Sequence, residues 1–169
     1  MHEPRRPSLT VGGRIMPTTH RDILVEVPSH ARRDQHSGPA LVTSAAAILA
    51  VALLAVVAAF QLALAMGAPW GAAAWGGQHP GVLPRRLRIA SAVAGILTYP
   101  LLIVLVMDAA GWVPLSWLDG VGSLPMWILA GLLGIGALAN FVSRSPRERI
   151  WGPVALITAV CCVILALNA

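Results

Sequence analysis

Residues 40–66 read ALVTSAAAILAVALLAVVAAFQLALAM, 27 positions without a single charged side chain. Crossing the hydrocarbon core of a bilayer takes about 20 apolar residues of helix. This run exceeds that length, and its alanines and leucines are strong helix formers. No proline or glycine interrupts it. A segment so long and so apolar reads as a membrane-spanning helix, and the rest of the chain must then be compatible with lipid. Exposed sheet edges are not, because their backbone groups would go unsatisfied.

Composition points the same way. Of 169 residues, 57% are hydrophobic and 11% charged, against about 25% charged in soluble domains. All twelve basic residues are arginine, a bias of the kind a GC-rich bacterial genome produces. Two cysteines, Cys161 and Cys162, lie side by side in an apolar run. With no CxxC and no neighbouring histidine they read as small apolar fillers, and no metal or cofactor is expected.

Three further spans follow. The second is expected over 88–107, where Pro100 removes a backbone donor and should kink the helix. The third covers 124–141 with Ser123 as a candidate N-cap, and carries a small-residue stripe at Ala130, Gly134 and Ala137 that suits close helix packing. The fourth covers 146–167. It opens on Ser145-Pro146-Arg147-Glu148, the pattern of a capping box with proline at the first helical position. The expected fold is therefore all-α. An integral membrane four-helix bundle over 39–169 follows a disordered polar tail over 1–38. The tail holds a short run, Ile23–Val27, with strand character, and Met16 is a second candidate start. No secretory signal is expected, since the first apolar run begins late and is too long for one.

Four spans put the tail, the 108–122 loop and the C-terminus on one side. The 67–87 and 142–150 connections lie on the other. That second side carries Arg85, Arg86, Arg88, Arg144, Arg147 and Arg149, opposed only by Glu148, whereas the 108–122 loop has Asp108 and Asp119 and no arginine. The positive-inside rule then places both connections in the cytoplasm and both termini outside an inner membrane. Trp112, Trp117 and Trp127, around the outer loop, read as headgroup-level anchors.

The chemistry-bearing residues gather by connectivity on the arginine side, because each odd span ends there and each even span begins there. Gln61 closes the first span. The connection GAPWGAAAWGGQHP, residues 67–80, brings Trp70, Trp75, Gln78 and His79. Asn140 and Ser143 end the third span, and Arg147, Glu148 and Trp151 open the fourth. Each has a plain reading. Gln61 and Asn140 bond between helices, Glu148 completes its capping box, His79 is an interfacial residue, and the arginines set topology and meet lipid phosphates. Each also fits a ligand or lipid contact. The 67–80 segment is richer than a turn requires, with two tryptophans and a Gln-His pair among its glycines and prolines.

The blocks GAPWGAAAWGGQHPGVLPRRLRIAS and NFVSRSPRERIWGPV, the latter before a final apolar helix, resemble a group of small bacterial four-span membrane proteins to which no activity is assigned. The resemblance covers roughly residues 40–168. It implies a shared motif-bearing face and transfers no catalytic residue. No nucleophile elbow, zinc-protease motif, phosphate loop or intramembrane carboxylate pair is present. The leading expectation is a non-enzymatic structural or accessory membrane unit, self-associating or attached to a membrane-protein partner. The alternative is a binder of an anionic lipid headgroup or small molecule at the arginine face, extending to a lipid-modifying enzyme. No nucleic-acid partner is expected.

Overall fold

The computed structural model describes residues 29–168, with side chains from Ala40 onward. Most of the polar tail, including Ile23–Val27, lies outside the described residues. Those described form helices and turns, with no strand among them. Four segments are long and apolar enough to cross a membrane: Ala40–Met66, Arg85–Ala109, Leu124–Phe141 and Glu148–Asn168.

Helix α1 runs Ser29–Met66, so the backbone of 29–38, expected to belong to the tail, is helical. Extending an existing helix requires only propagation, without the cost of a new nucleus. At the other end α1 stops in a Schellman arrangement. Ala68 N–H donates to Ala63 O at 2.9 Å and Gly67 N–H to Leu64 O at 3.1 Å, with Gly67 at φ 101°, a value glycine adopts without penalty. Arg88 Nε donates to the next free carbonyl, Ala65 O, at 3.0 Å. A cation here also opposes the negative end of the helix dipole.

The second span is divided into α2 (Arg85–Val93), a π-helical turn (Ala94–Thr98) and α3 (Tyr99–Ala109). The expected disturbance at Pro100 takes this form. Pro100 has no N–H to offer Ile96 O, and its ring crowds that carbonyl. The widened turn upstream absorbs the misfit, and Tyr99 N–H reaches back five residues to Ala94 O. Gly95 within it is buried against α1. A Cβ there would stand 2.8 Å from Leu62 Cγ and 3.2 Å from Ala58 O.

Helix α4 spans Leu124–Phe141 and α5 spans Trp151–Asn168, the latter preceded by a 3-10 turn at Glu148–Ile150. Two expected caps do not form. Ser123 occupies the N-cap position of α4 without a side-chain bond. Ser145 and Glu148 meet only through the backbone, Glu148 N–H to Ser145 O at 3.1 Å. Their side chains serve tertiary contacts instead, and regular α-helix is delayed to Trp151.

Helix α1 packs against α2–α3 and against α5, while α4 packs on α5; α3 and α4 touch only lightly. The main core includes Ala47, Ala50, Val106, Met126, Leu129, Cys162 and Leu165. It fills the half of the bundle next to the 108–122 loop, where Asp108 accepts from Leu115 N–H at 2.8 Å. Both cysteines are buried and unpaired, serving as fillers. Ala130 and Ala137 are buried, but a Cβ on Gly134 would meet nothing within 4 Å. The small-residue stripe therefore gives no close approach at Gly134 within this chain. Large apolar side chains such as Ile48, Ile96, Leu132, Ile135 and Leu138 point outward, as on helices solvated by lipid.

Candidate functional site

The opposite half of the bundle is organised by the 67–87 connection, which folds into two short 3-10 turns, Gly71–Ala73 and Trp75–Gly77. Trp75, Gly76 and Gly77 adopt left-handed φ values of 54°, 79° and 68° in succession. Such backbone is expensive for a tryptophan. Trp75 is held there by its indole N–H, which donates to the buried Ser91 Oγ at 3.0 Å. Gly71 N–H donates to Gly81 O at 3.0 Å and closes the segment on itself.

Irregular backbone at the end of an apolar bundle must find partners in the protein. The α4–α5 connection supplies them. Trp151 Nε1 donates to Ala73 O at 2.9 Å, and the Ser145 hydroxyl donates to Ala72 O. Gly76 N–H donates to Glu148 Oε1 at 2.9 Å, while the Ser143 hydroxyl donates to Glu148 Oε2. The two connections meet so closely that a Cβ on Gly77 would overlap Ser145 Cβ. Glu148, expected in a capping box, is thus the clamp between them. Its carboxylate binds two neutral donors, and no ion pair is found among the described residues.

Beneath this roof lies a cavity of about 290 Å³. Its walls are Leu54, Val57, Phe60 and Gln61 from α1, Tyr99 from α3, Leu133 and Asn140 from α4, and Trp151, Val154, Ala155 and Thr158 from α5. Ala73, Ala74 and Trp75 cover it, and Glu148 completes the lining. The Phe60 and Trp151 rings pack with centroids 4.5 Å apart and tilted by 45°, and Trp70 stacks on Phe60 at 6.3 Å. The Thr158 hydroxyl is occupied by Val154 O at 2.8 Å. Gln61 Oε1 is buried with no hydrogen-bond partner, an open acceptor in the wall. A second cavity of about 400 Å³, lined by Gly76, Gln78, Ser143 and Arg144, shares Asn140 and Glu148 with the first.

The structure therefore divides the expected site. Gln61, Trp75, Asn140, Glu148 and Trp151 line one cavity. Trp70 does not line it and reaches it through Phe60. His79 lines neither cavity, although its Nδ1 is buried without a partner. No arginine lines the first cavity. Arg85, Arg86 and Arg147 are exposed, Arg144 faces the second cavity, Arg88 caps α1, and Arg149 Nε donates to Ser143 O at 2.9 Å. The arginine face and the cavity are adjacent but distinct.

Tyr99, Phe60 and Thr158 belong to the cavity and were not expected there. Tyr99 is the only tyrosine in the chain. Its place next to Pro100 in mid-span is the available signal, and from the sequence that position implies only a kink. Among the described residues, no group of histidine, cysteine and carboxylate side chains is placed to hold a metal ion. No protein-family model matches this chain, and no curated protein or solved structure matches it either.

Proposed function

We propose that the chain is a multi-pass membrane protein that binds an amphiphilic small molecule or lipid in the cavity beneath the 67–87 connection. The observation that carries this reading is the polarity gradient of the lining. Gln61, Asn140 and Glu148 lie near the helix ends, while Leu54, Val57 and Leu133 lie deeper in their helices, where the Thr158 hydroxyl is spent on Val154 O. From Gln61 to Leu54 is about 10 Å along α1 at 1.5 Å per residue. An apolar pocket with a few convergent polar groups is the usual form of a small-molecule site. The alternative of a purely structural unit draws on the outward apolar faces, which any lipid-solvated bundle has and which select no function.

Copurification tests this reading. Protein extracted from native membranes in mild detergent is expected to carry a near-stoichiometric amphiphile, detected by mass spectrometry. Ala155→Phe places a ring in the cavity and is expected to remove that molecule while the protein stays folded. Equal recovery from both proteins, or none from either, would refute the binding reading.

The proposed orientation puts the 67–87 and 142–150 connections in the cytoplasm of an inner-membrane protein, because the arginines concentrate there. Single cysteines introduced at Gln78 and Asp119 in a background lacking Cys161 and Cys162 separate the alternatives. An impermeant thiol reagent added to intact cells is expected to label position 119 and spare position 78. The reverse pattern inverts the assignment.

A further inference from the structure

We infer that the molecule held in this cavity has a cationic head, an amine or quaternary ammonium, placed against Glu148. The inference rests on the binding reading above and names the chemistry of its ligand. Glu148 is 9% exposed, and its two donors, Gly76 N–H and the Ser143 hydroxyl, are neutral. A charge withdrawn from water in this way is ordinarily paired. Three arginines lie within four residues of it in sequence, yet none forms an ion pair with it among the described residues. Arg149 is engaged by Ser143 O, Arg147 is exposed, and Arg144 faces the second cavity, which Glu148 also lines, without pairing with it.

The other lining groups have the same preference. Gln61 Oε1 has no hydrogen-bond partner, and the amide, which presents either its oxygen or its nitrogen by turning about its last bond, can accept from an ammonium head. Trp75, Tyr99 and Trp151 also place aromatic rings along the lining, and a cation over the face of such a ring is attracted by its quadrupole. A phosphate or carboxylate head would set its oxygens against the Glu148 carboxylate, with no arginine in the wall of this cavity to offset the repulsion. A cation meets one carboxylate, one free carbonyl oxygen and aromatic rings.

The test uses the full chain in lipid nanodiscs and a charge series on one tail: decyltrimethylammonium, decanol and decyl sulfate, each below its micellar concentration. Binding is read from tryptophan fluorescence, with Ala155→Phe in nanodiscs as the blank for partition into lipid. Decyltrimethylammonium is expected to bind at least ten-fold more tightly than decanol, and decyl sulfate not to displace it. Glu148→Gln is expected to lower the affinity for the cation ten-fold or more, and by more than it lowers that for decanol. Tyr99→Leu keeps the clamp intact and is expected to weaken the cation selectively, which carries the test if Glu148→Gln fails to fold. Equal affinities across the series, an unchanged cation affinity in Glu148→Gln, or equal losses for cation and decanol in Tyr99→Leu would overturn the inference while leaving the cavity a binding site. No signal above the blank for any probe would overturn the binding reading itself.

Discussion

Gly71→Ala is expected to destabilise the protein by about 3 kcal/mol, at the upper end of what overpacking a filled site costs. Gly71 is buried. A Cβ there would overlap the His79 carbonyl oxygen and lie 2.8 Å from both Gly81 O and Leu83 Cδ2. Two of these three atoms are backbone, and neither can swing aside as a side-chain end would. Gly81 O is also the acceptor of the Gly71 N–H at 3.0 Å. Relieving the overlap therefore means opening the bond that closes the 67–87 connection, worth about 1 kcal/mol by itself. Thermal melting in detergent measures the loss. Gly134→Ala is the matched control. It lies inside α4 with nothing within 4 Å of the added carbon, so it should gain up to about 1 kcal/mol from helix propensity. If both variants melted alike, the loop geometry described here would be wrong.

Trp151→Ala is expected to cost about 2–3 kcal/mol, below the 3–5 typical of a fully buried ring because Trp151 is partly exposed. Three losses combine. The ring leaves Phe60, to which it packs at 4.5 Å. Ala73 O loses the indole N–H that satisfies it at 2.9 Å. The cavity loses part of its wall beside Glu148. Trp151→Phe separates these effects. It keeps an aromatic wall and removes the N–H, so it should cost about 1 kcal/mol, the net value of one hydrogen bond. Chemical denaturation of the two variants in one detergent checks the ordering. A phenylalanine variant as unstable as the alanine variant would mean that the hydrogen bond, not the ring, holds this end of the bundle.

The cavity is partly legible in the sequence. Gln61, Asn140, Glu148 and Trp151 were singled out because four alternating spans bring their ends together, and Trp75 because its segment carried more than a turn needs. The arginines were singled out with them on the same ground. Connectivity places residues on a face but does not say which of them point inward. Arginine guanidinium groups favour water or the carbonyls at helix ends, and here they take those places at Ala65 and Ser143. The capping-box expectation for Glu148 fails for a related reason. The Ser-x-x-Glu spacing specifies a local bond only if nothing better is near. Gly76 N–H and Ala72 O, more than seventy residues away in sequence, are better placed for its carboxylate and for the Ser145 hydroxyl.

What the sequence determined by itself was the set of elements. Uncharged runs of about 18 to 27 residues, close to or beyond what a bilayer needs, have few alternatives to helix, and the disturbance at Pro100 follows from its own residue. What the tertiary structure decided was which polar groups face each other. That depends on how α1 seats against α5, on the light contact between α3 and α4, and on three successive left-handed residues that fold Trp75 back over the bundle. Helix formation is local and depends on hydropathy and backbone bonding over a few turns. A cavity is the space that packing leaves between distant segments, and only their combined shapes define it.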